Sequence, residues 1–367
     1  MQIDTFGLER WFAEYEHDAE IMLAESGVRS LSTDRFDTDL GDLGYVIPTN
    51  GDPDLRARIG DRYDREADEV LCTCGTQEAN FLAFLSVLQE PTLGADGASP
   101  SGSASRSPHA IVVTPTYQAL HAVPDAVGEV TRVPLEPPTW ELDVDAVADA
   151  IRPETKLIVL NNPNNPTGRY HPLETVEALY DLAADNDAYL LCDEVYRLLA
   201  EDPLPPVASL GPRGLSTASL SKSYGLAGLR FGWLIGNEDL LETAWNWKDY
   251  TTISPSTFGQ HVAKQALEQE DEILAENRDL VADHRNRVQE FLEKHGLEWY
   301  DPVGVNGFVT VPDGYETGKE FCRAVLEEGV VLAPGEFFGH SDRFRIGFGL
   351  PTEELKEGLR RIERVLE

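Results

Sequence analysis

The chain has 367 residues, 41% of them hydrophobic, and sets 65 Asp and Glu against 30 Lys and Arg for a formal net charge of −35. This length can bury one large and one small core, and no apolar run approaches the ~20 residues that span a bilayer. So acidic a chain repels nucleic acid and anionic membranes, which excludes both as partners.

Seven lysines occur, none before Lys156. Many carboxylates with few lysines suit a protein kept soluble at high salt, and an acidic mesophilic protein is the plain alternative. The N-terminus lacks the basic start and apolar stretch of a signal peptide, so the expected location is cytoplasmic. Cys72, Cys74, Cys192 and Cys322 are too few for a disulfide framework. Cys72 and Cys74 are expected on one face of a strand. With no second cysteine pair, no metal site is expected.

In chain order, VLCT at 70–73 reads as a strand and 77–88 as a helix. The stretch 93–108, LGADGASPSGSASRSP, reads as an exposed flexible loop. AIVVT at 110–114, KLIVL at 156–160 and AYLLC at 188–192 are continuous apolar runs, as expected of strands buried on both faces. Helical stretches between them imply crossovers. The fold class is therefore α/β, with a mostly parallel central sheet flanked by helices. A long, charge-dense helical stretch from Thr257 to near Gly296 leads to a smaller α+β domain. That domain has strands near 307–311 and 343–348 and a closing helix over 352–366. The expected division is a large domain over 41–256 and a small one built from 1–40 and 257–367.

The strongest chemical signal is SLSKSYGLAGLRFG at 219–232. A lysine amine can form an imine with an aldehyde when burial and nearby cations lower its pKa. Ser219 and Arg230 flank Lys222 and are good phosphate ligands, the arginine through its planar fork of donors. Three further segments end apolar runs: DEVY at 193–196, NNPNNPTG at 161–168, and GTQEAN at 75–80, the last at the start of a helix whose free N–H groups suit a phosphate. Alone, NNPNNPTG is a turn and Asp193 a helix cap. RFRIGF at 343–348 reads as a strand with alternating faces, and of its two arginines Arg343 is expected away from the site, at solvent or in a salt bridge.

These motifs, in this order, resemble the class I/II aminotransferase branch of the fold-type I pyridoxal-5'-phosphate enzymes, over residues from about Tyr45 to Phe348. The resemblance implies that Lys222 holds the cofactor as a Schiff base, that Asp193 pairs with the pyridine nitrogen, and that Asn165 and Tyr196 reach the phenolic oxygen. It implies a phosphate cup from Thr76, Gln77, Ser219 and Arg230, and Tyr117 stacked on the pyridine ring. Arg345 would clamp the substrate α-carboxylate, with Asn165 beside it. Tyr45, before GDPDLR at 51–56, resembles a tyrosine that reaches the phosphate of the neighbouring subunit. Ser26-Gly27-Val28 resembles a substrate-contact element of capreomycidine-synthase-like members, with Gly27 against the substrate. A homodimer is implied, as are an L-amino acid and a 2-oxo acid as substrates in a ping-pong transamination. Decarboxylation, β-elimination or side-chain cyclisation on the same cofactor remain open alternatives, and a non-catalytic cofactor-binding protein is a further one.

Overall fold

The expected apolar runs are strands, and in this computed structural model, which describes residues 2–17, 19–89 and 107–367, they join into one sheet. β1 (Val70–Thr73), β2 (His109–Thr114), β3 (Glu129–Pro134), β4 (Thr155–Asn161), β5 (Tyr189–Asp193), β6 (Gly214–Ser219) and β7 (Gly232–Ile235) lie in the order 1-7-6-5-4-2-3. The pairs β3–β2, β2–β4, β4–β5 and β5–β6 are parallel, and β7 runs against both of its neighbours. Helices cover both faces, so β2, β4 and β5 are buried along nearly their whole length. On one face, Leu82, Phe84 and Leu88 of the helix Gly75–Leu88 pack on Val112, Val159 and Leu191. On the other, Ile111, Ile158 and Leu190 meet Trp140 and Leu179.

Two strands of this sheet do not announce themselves in the sequence. Edge strand β3 is half solvated and polar. Strand β6, GLSTAS, is wholly buried yet rich in hydroxyls. Those hydroxyls are satisfied internally: Ser216 Oγ accepts from the Ala208 N–H at 2.9 Å, and Thr217 Oγ1 donates to Asn80 Oδ1 at 2.7 Å.

A second, antiparallel sheet orders β8 (Asn306–Thr310), β10 (Arg343–Gly347) and β9 (Ala333–Pro334) as 8-10-9. Phe308, Phe344 and Ile346 pack with Phe321 and Val325 of the helix Gly318–Glu327 and with Leu355 and Ile362 of the helix Thr352–Leu366. The N-terminal helix Gly7–Tyr15 docks in the same core through Leu8 and Trp11, and the Trp11 indole N–H donates to the Leu332 carbonyl at 3.0 Å. Burying two such side chains contributes about 1.5–3 kcal/mol each, enough to fix the helix in place. Its neighbouring face, with Glu9 and Phe12, is thereby held over the C-terminal ends of the large sheet's strands.

Three expectations need correction. The stretch after Thr257 is two helices, Thr257–Glu268 and Glu270–His295, separated at Gln269 (φ −103°, ψ 16°). The second does end at Gly296, whose φ of +66° suits a glycine C-cap. Cys74 does not share a strand face with Cys72, because β1 ends at Thr73 and Cys74 caps the following helix. Arg343 takes the salt-bridge half of its expectation, with Asp342 at 3.7 Å, but it is buried rather than solvent-facing, its guanidinium 5.1 Å from the Trp140 ring centre. The small sheet is covered on both sides, so alternation there does not separate inside from outside. The stretch 93–108 lies, save its last two residues, outside the described residues. Among the described residues no helix is long and apolar enough to cross a membrane.

Candidate active site

In an open α/β sheet, ligands gather beyond the carboxyl ends of the parallel strands. Here those ends line a pocket of about 340 Å³. Asn161 and Asp193 are register partners at the ends of β4 and β5, and Ser219 ends β6 beside them. Lys222 follows three residues later, and the segment 22–26 and the N-terminal helix close the opposite wall. Of the residues singled out by sequence, Thr76, Gln77, Tyr117, Asn165, Asp193, Tyr196, Ser219, Lys222, Arg230 and Arg345 all line this one pocket. They come from six separate stretches of chain.

Tyr45 does not line it. The residue is 70% exposed, in a surface segment of its own chain. Gly27 is not among the lining residues either, but it backs onto the lysine: a Cβ placed there would sit 3.7 Å from Lys222 Cδ.

One end of the pocket is built for an anion. The helix Gly75–Leu88 points its N-terminus in, so the first N–H groups and the positive end of its dipole face the cavity. Gly75 has a φ of +74°, and a Cβ on it would fall 2.7 Å from Arg230 Nη2. Glycine therefore both permits the turn and lets the guanidinium close on it. Arg230, itself left-handed at φ +50°, donates to Ser221 Oγ at 3.3 Å. The Thr76 hydroxyl is buried with no hydrogen-bond partner. Such a hydroxyl costs free energy until an acceptor arrives.

The middle is built around Asp193, which is 6% exposed. Oδ2 accepts from the Asn80 amide at 2.9 Å and Oδ1 from the Val195 N–H at 3.3 Å. Burial pushes its pKa up to about 6, against the pull of the Asn80 and Val195 hydrogen bonds and the Lys222 charge. Lys222 Nζ donates to Ser26 Oγ at 3.0 Å, with Glu25 Oε1 at 3.7 Å. A ladder of amides sets the neighbouring loop. Asn161 donates to the Asp193 carbonyl at 2.9 Å and accepts the Asn165 N–H at 2.7 Å, while Asn164 donates to the Pro115 carbonyl at 3.0 Å.

At the far end Arg345 is 1% exposed, and among the described residues no carboxylate forms an ion pair with it, though the Glu25 and Glu9 charges act on it from a distance. It donates to Asn165 Oδ1 at 2.9 Å and to the Ala24 carbonyl at 2.7 Å, and its Nε has no partner. Burial lowers its pKa. A buried guanidinium without a counter-ion is a ready site for a ligand carboxylate. The Tyr117 hydroxyl donates to Glu9 Oε1 at 2.7 Å, and burial, with the Glu9 charge, holds the phenol well above its usual pKa.

Asn80, Asn161 and Glu9 had no role assigned from the sequence, and Ser26 was expected at the substrate rather than on the lysine amine. Asn80 had a readable signal, a polar residue one turn after Thr76 in an otherwise apolar helix. Asn161 and Glu9 act through contacts distant in sequence, as does Ser26 toward Lys222.

Fold and pocket together define an enzyme whose cofactor carries a phosphate at one end and an amine-reactive group beside a half-buried lysine. The orphaned Thr76 hydroxyl, the glycine cradle closed by Arg230, and the buried Asp193 fit pyridoxal phosphate. The chain belongs to the aminotransferase class I and II family, which it matches over residues 33–362. It is 31% identical to capreomycidine synthase of Streptomyces vinaceus, over 98% of this chain and 93% of that one. It is 29% identical to the aspartate/prephenate aminotransferase of Thermus thermophilus, over 89% of this chain and 84% of the other. The crystal structure of a PLP-dependent aminotransferase from Streptococcus suis superposes with a TM-score of 0.89 at 29% identity, covering 100% of this chain and 98% of that one.

Proposed function

We propose that the protein catalyses pyridoxal-phosphate-dependent transamination between an L-amino acid and a 2-oxo acid by a ping-pong sequence. The observation that carries this reading is the convergence of Lys222, Asp193 and an uncompensated Arg345 on one pocket with an anion cradle at its end. When bound, pyridoxal phosphate supplies an aldehyde that takes up an amine and a ring that draws electrons from the attached carbon.

The chain's residues do the rest. The Thr76 and Gln77 N–H groups, Ser219 and Arg230 hold the phosphate. Asp193 holds a proton on the pyridine nitrogen, as a buried carboxylate stabilises a buried cation. Asn165 and Tyr196 would hold the phenolic oxygen, and Tyr117 would pack against the ring. Arg345 fixes the substrate α-carboxylate, which sets the orientation of the bond to be broken. The Lys222 amine, once free, would take the proton from the substrate α-carbon and hold it for return, as general base and acid. Ser26 Oγ, at 3.0 Å from Nζ, keeps the amine at that spot.

In this reading residues 41–256 form the cofactor-binding domain, while 1–40 and 257–367 form the small one. The working unit is a cytoplasmic homodimer. Leu43, Tyr45, Ile47, Tyr250, Ile253 and Phe258 are all exposed. The Thr257 hydroxyl donates to the Gly44 carbonyl at 2.8 Å, bringing their two segments together, and a patch of this kind calls for a partner. Tyr45 would then serve the neighbouring subunit's phosphate cup.

A second reading, side-chain cyclisation, is favoured by the 31% identity to capreomycidine synthase. Incubating reconstituted enzyme with single amino acids and no oxo acid separates the two. Stoichiometric release of a 2-oxo acid, with the cofactor left aminated, supports transamination. A cyclised product, or carbon dioxide or ammonia, with the cofactor unchanged, overturns it.

A further inference from the structure

Beyond the α-carboxylate clamp, the substrate wall of the pocket has a chemistry of its own. The helix Gly7–Tyr15 and its C-cap present Glu9, Phe12 and Glu16 to the cavity, at positions i, i+3 and i+7 on one helix face. Leu8 and Met22 line the same wall, and Glu25 sits on the adjoining segment. The wall therefore alternates apolar surface with carboxylates.

The pocket's cations are Lys222, Arg230 and Arg345, and the first two stand at the cofactor end. Among the described residues no ion pair with Lys or Arg compensates Glu9 or Glu16. Glu9 accepts from the Tyr117 hydroxyl and feels the Arg345 charge without pairing with it, and the half-exposed Glu16 has His17 at 4.0 Å. Arg345 Nε, buried and without a partner, marks where a ligand must complete the site from the other side.

Resting on the transamination reading, we infer that the preferred amino donor has a long side chain ending in a cation, an ammonium or guanidinium. Its methylenes pack on Leu8, Phe12 and Met22 while its tip meets Glu9 and Glu16. A long cationic side chain is apolar along its stem and charged at its end, and it matches such a wall. A second carboxylate at the tip, as in aspartate, meets like charge and is disfavoured.

The test is a spectral titration of the reconstituted enzyme with L-arginine, L-ornithine, L-norleucine, L-phenylalanine and L-aspartate, giving a dissociation constant for each. The expected result is that arginine or ornithine binds at least about tenfold tighter than the isosteric, uncharged norleucine, the amount one charge-assisted hydrogen bond supplies. In the variant Glu9→Gln/Glu16→Gln, that ratio should fall toward one, with the variant's visible cofactor band confirming a folded, loaded site. Norleucine, phenylalanine or aspartate binding tightest, or an arginine-to-norleucine ratio unmoved by the double variant, overturns this inference and leaves transamination standing. No spectral response to any of the five amino acids removes the transamination reading itself, and with it this inference.

Discussion

Replacing Asp193 by asparagine should make the cofactor-free protein more stable and the loaded protein less so. The carboxyl group is 6% exposed, and burial lifts its pKa from 3.8 to about 6. Its raised folded-state pKa means that stability is full below the unfolded value and is lost as pH rises through the folded one. The loss therefore develops between about pH 4 and pH 6 and persists above. Two pKa units correspond to about 3 kcal/mol. Asparagine cannot ionise, so it removes this loss, but it can satisfy only one of the two donors that now face the carboxylate, Asn80 Nδ2 and the Val195 N–H. A lost hydrogen bond returns about 1 kcal/mol. The net gain in the cofactor-free protein at pH 7.5 should be about 2 kcal/mol, turning into a loss of about 1 kcal/mol below pH 4, where only the lost hydrogen bond counts. With cofactor bound the sign reverses, because the pyridinium loses its counter-ion. Denaturant unfolding of both proteins, with and without pyridoxal phosphate, across that pH range gives all the quantities needed. A cofactor-free variant that is less stable than wild type at pH 7.5 would refute the argument that this carboxylate is buried against its own ionisation.

Other substitutions probe the two ends of the pocket. Arg345→Lys keeps a positive charge but not the fork, and it leaves Asn165 Oδ1 and the Ala24 carbonyl competing for one ammonium. KM for the amino acid should rise about ten- to hundredfold with the cofactor spectrum unchanged, and steady-state kinetics will show it. At the cradle, Lys248 is fully buried and donates to Glu78 at 3.0 Å, and Glu78 also accepts from the Cys74 N–H, Thr251 and Thr252. Glu78 lies in the first turn of the helix that carries Thr76 and Gln77. Lys248→Met strands the Glu78 carboxylate and should cost about 3–5 kcal/mol in thermal unfolding, with much of it recovered in Lys248→Met/Glu78→Gln. Weaker cofactor binding should accompany the single change, measured by equilibrium dialysis.

How far the sequence could be read follows from how local each signal is. The strands β2, β4 and β5 were legible because burial on both faces makes an unbroken apolar run. Strand β6 was not, since its Ser216 and Thr217 are buried through hydrogen bonds to residues far away in sequence. The break at Gln269 escaped because the charge-dense pattern continues across it and no proline or glycine marks it. In the site, Lys222, Asp193, Asn165 and Arg345 each sat in a recognisable motif, and the fold brings them to one pocket. The acidic wall of Glu9 and Glu16 stayed hidden because Leu8 and Trp11 dock that helix into a core formed by strands 300 residues later. No window of sequence contains that relation.

The central claim is that Lys222 bonds covalently to pyridoxal phosphate. The direct measurement is the absorbance spectrum of purified protein after incubation with pyridoxal phosphate and desalting, at high and low salt, beside Lys222→Ala treated the same way. The account predicts a visible band that survives desalting in wild type and a borohydride-stable adduct on Lys222 by peptide mass. The alanine variant should hold the cofactor without the adduct. No retained band in wild type under either condition, or an adduct on another lysine, would contradict it.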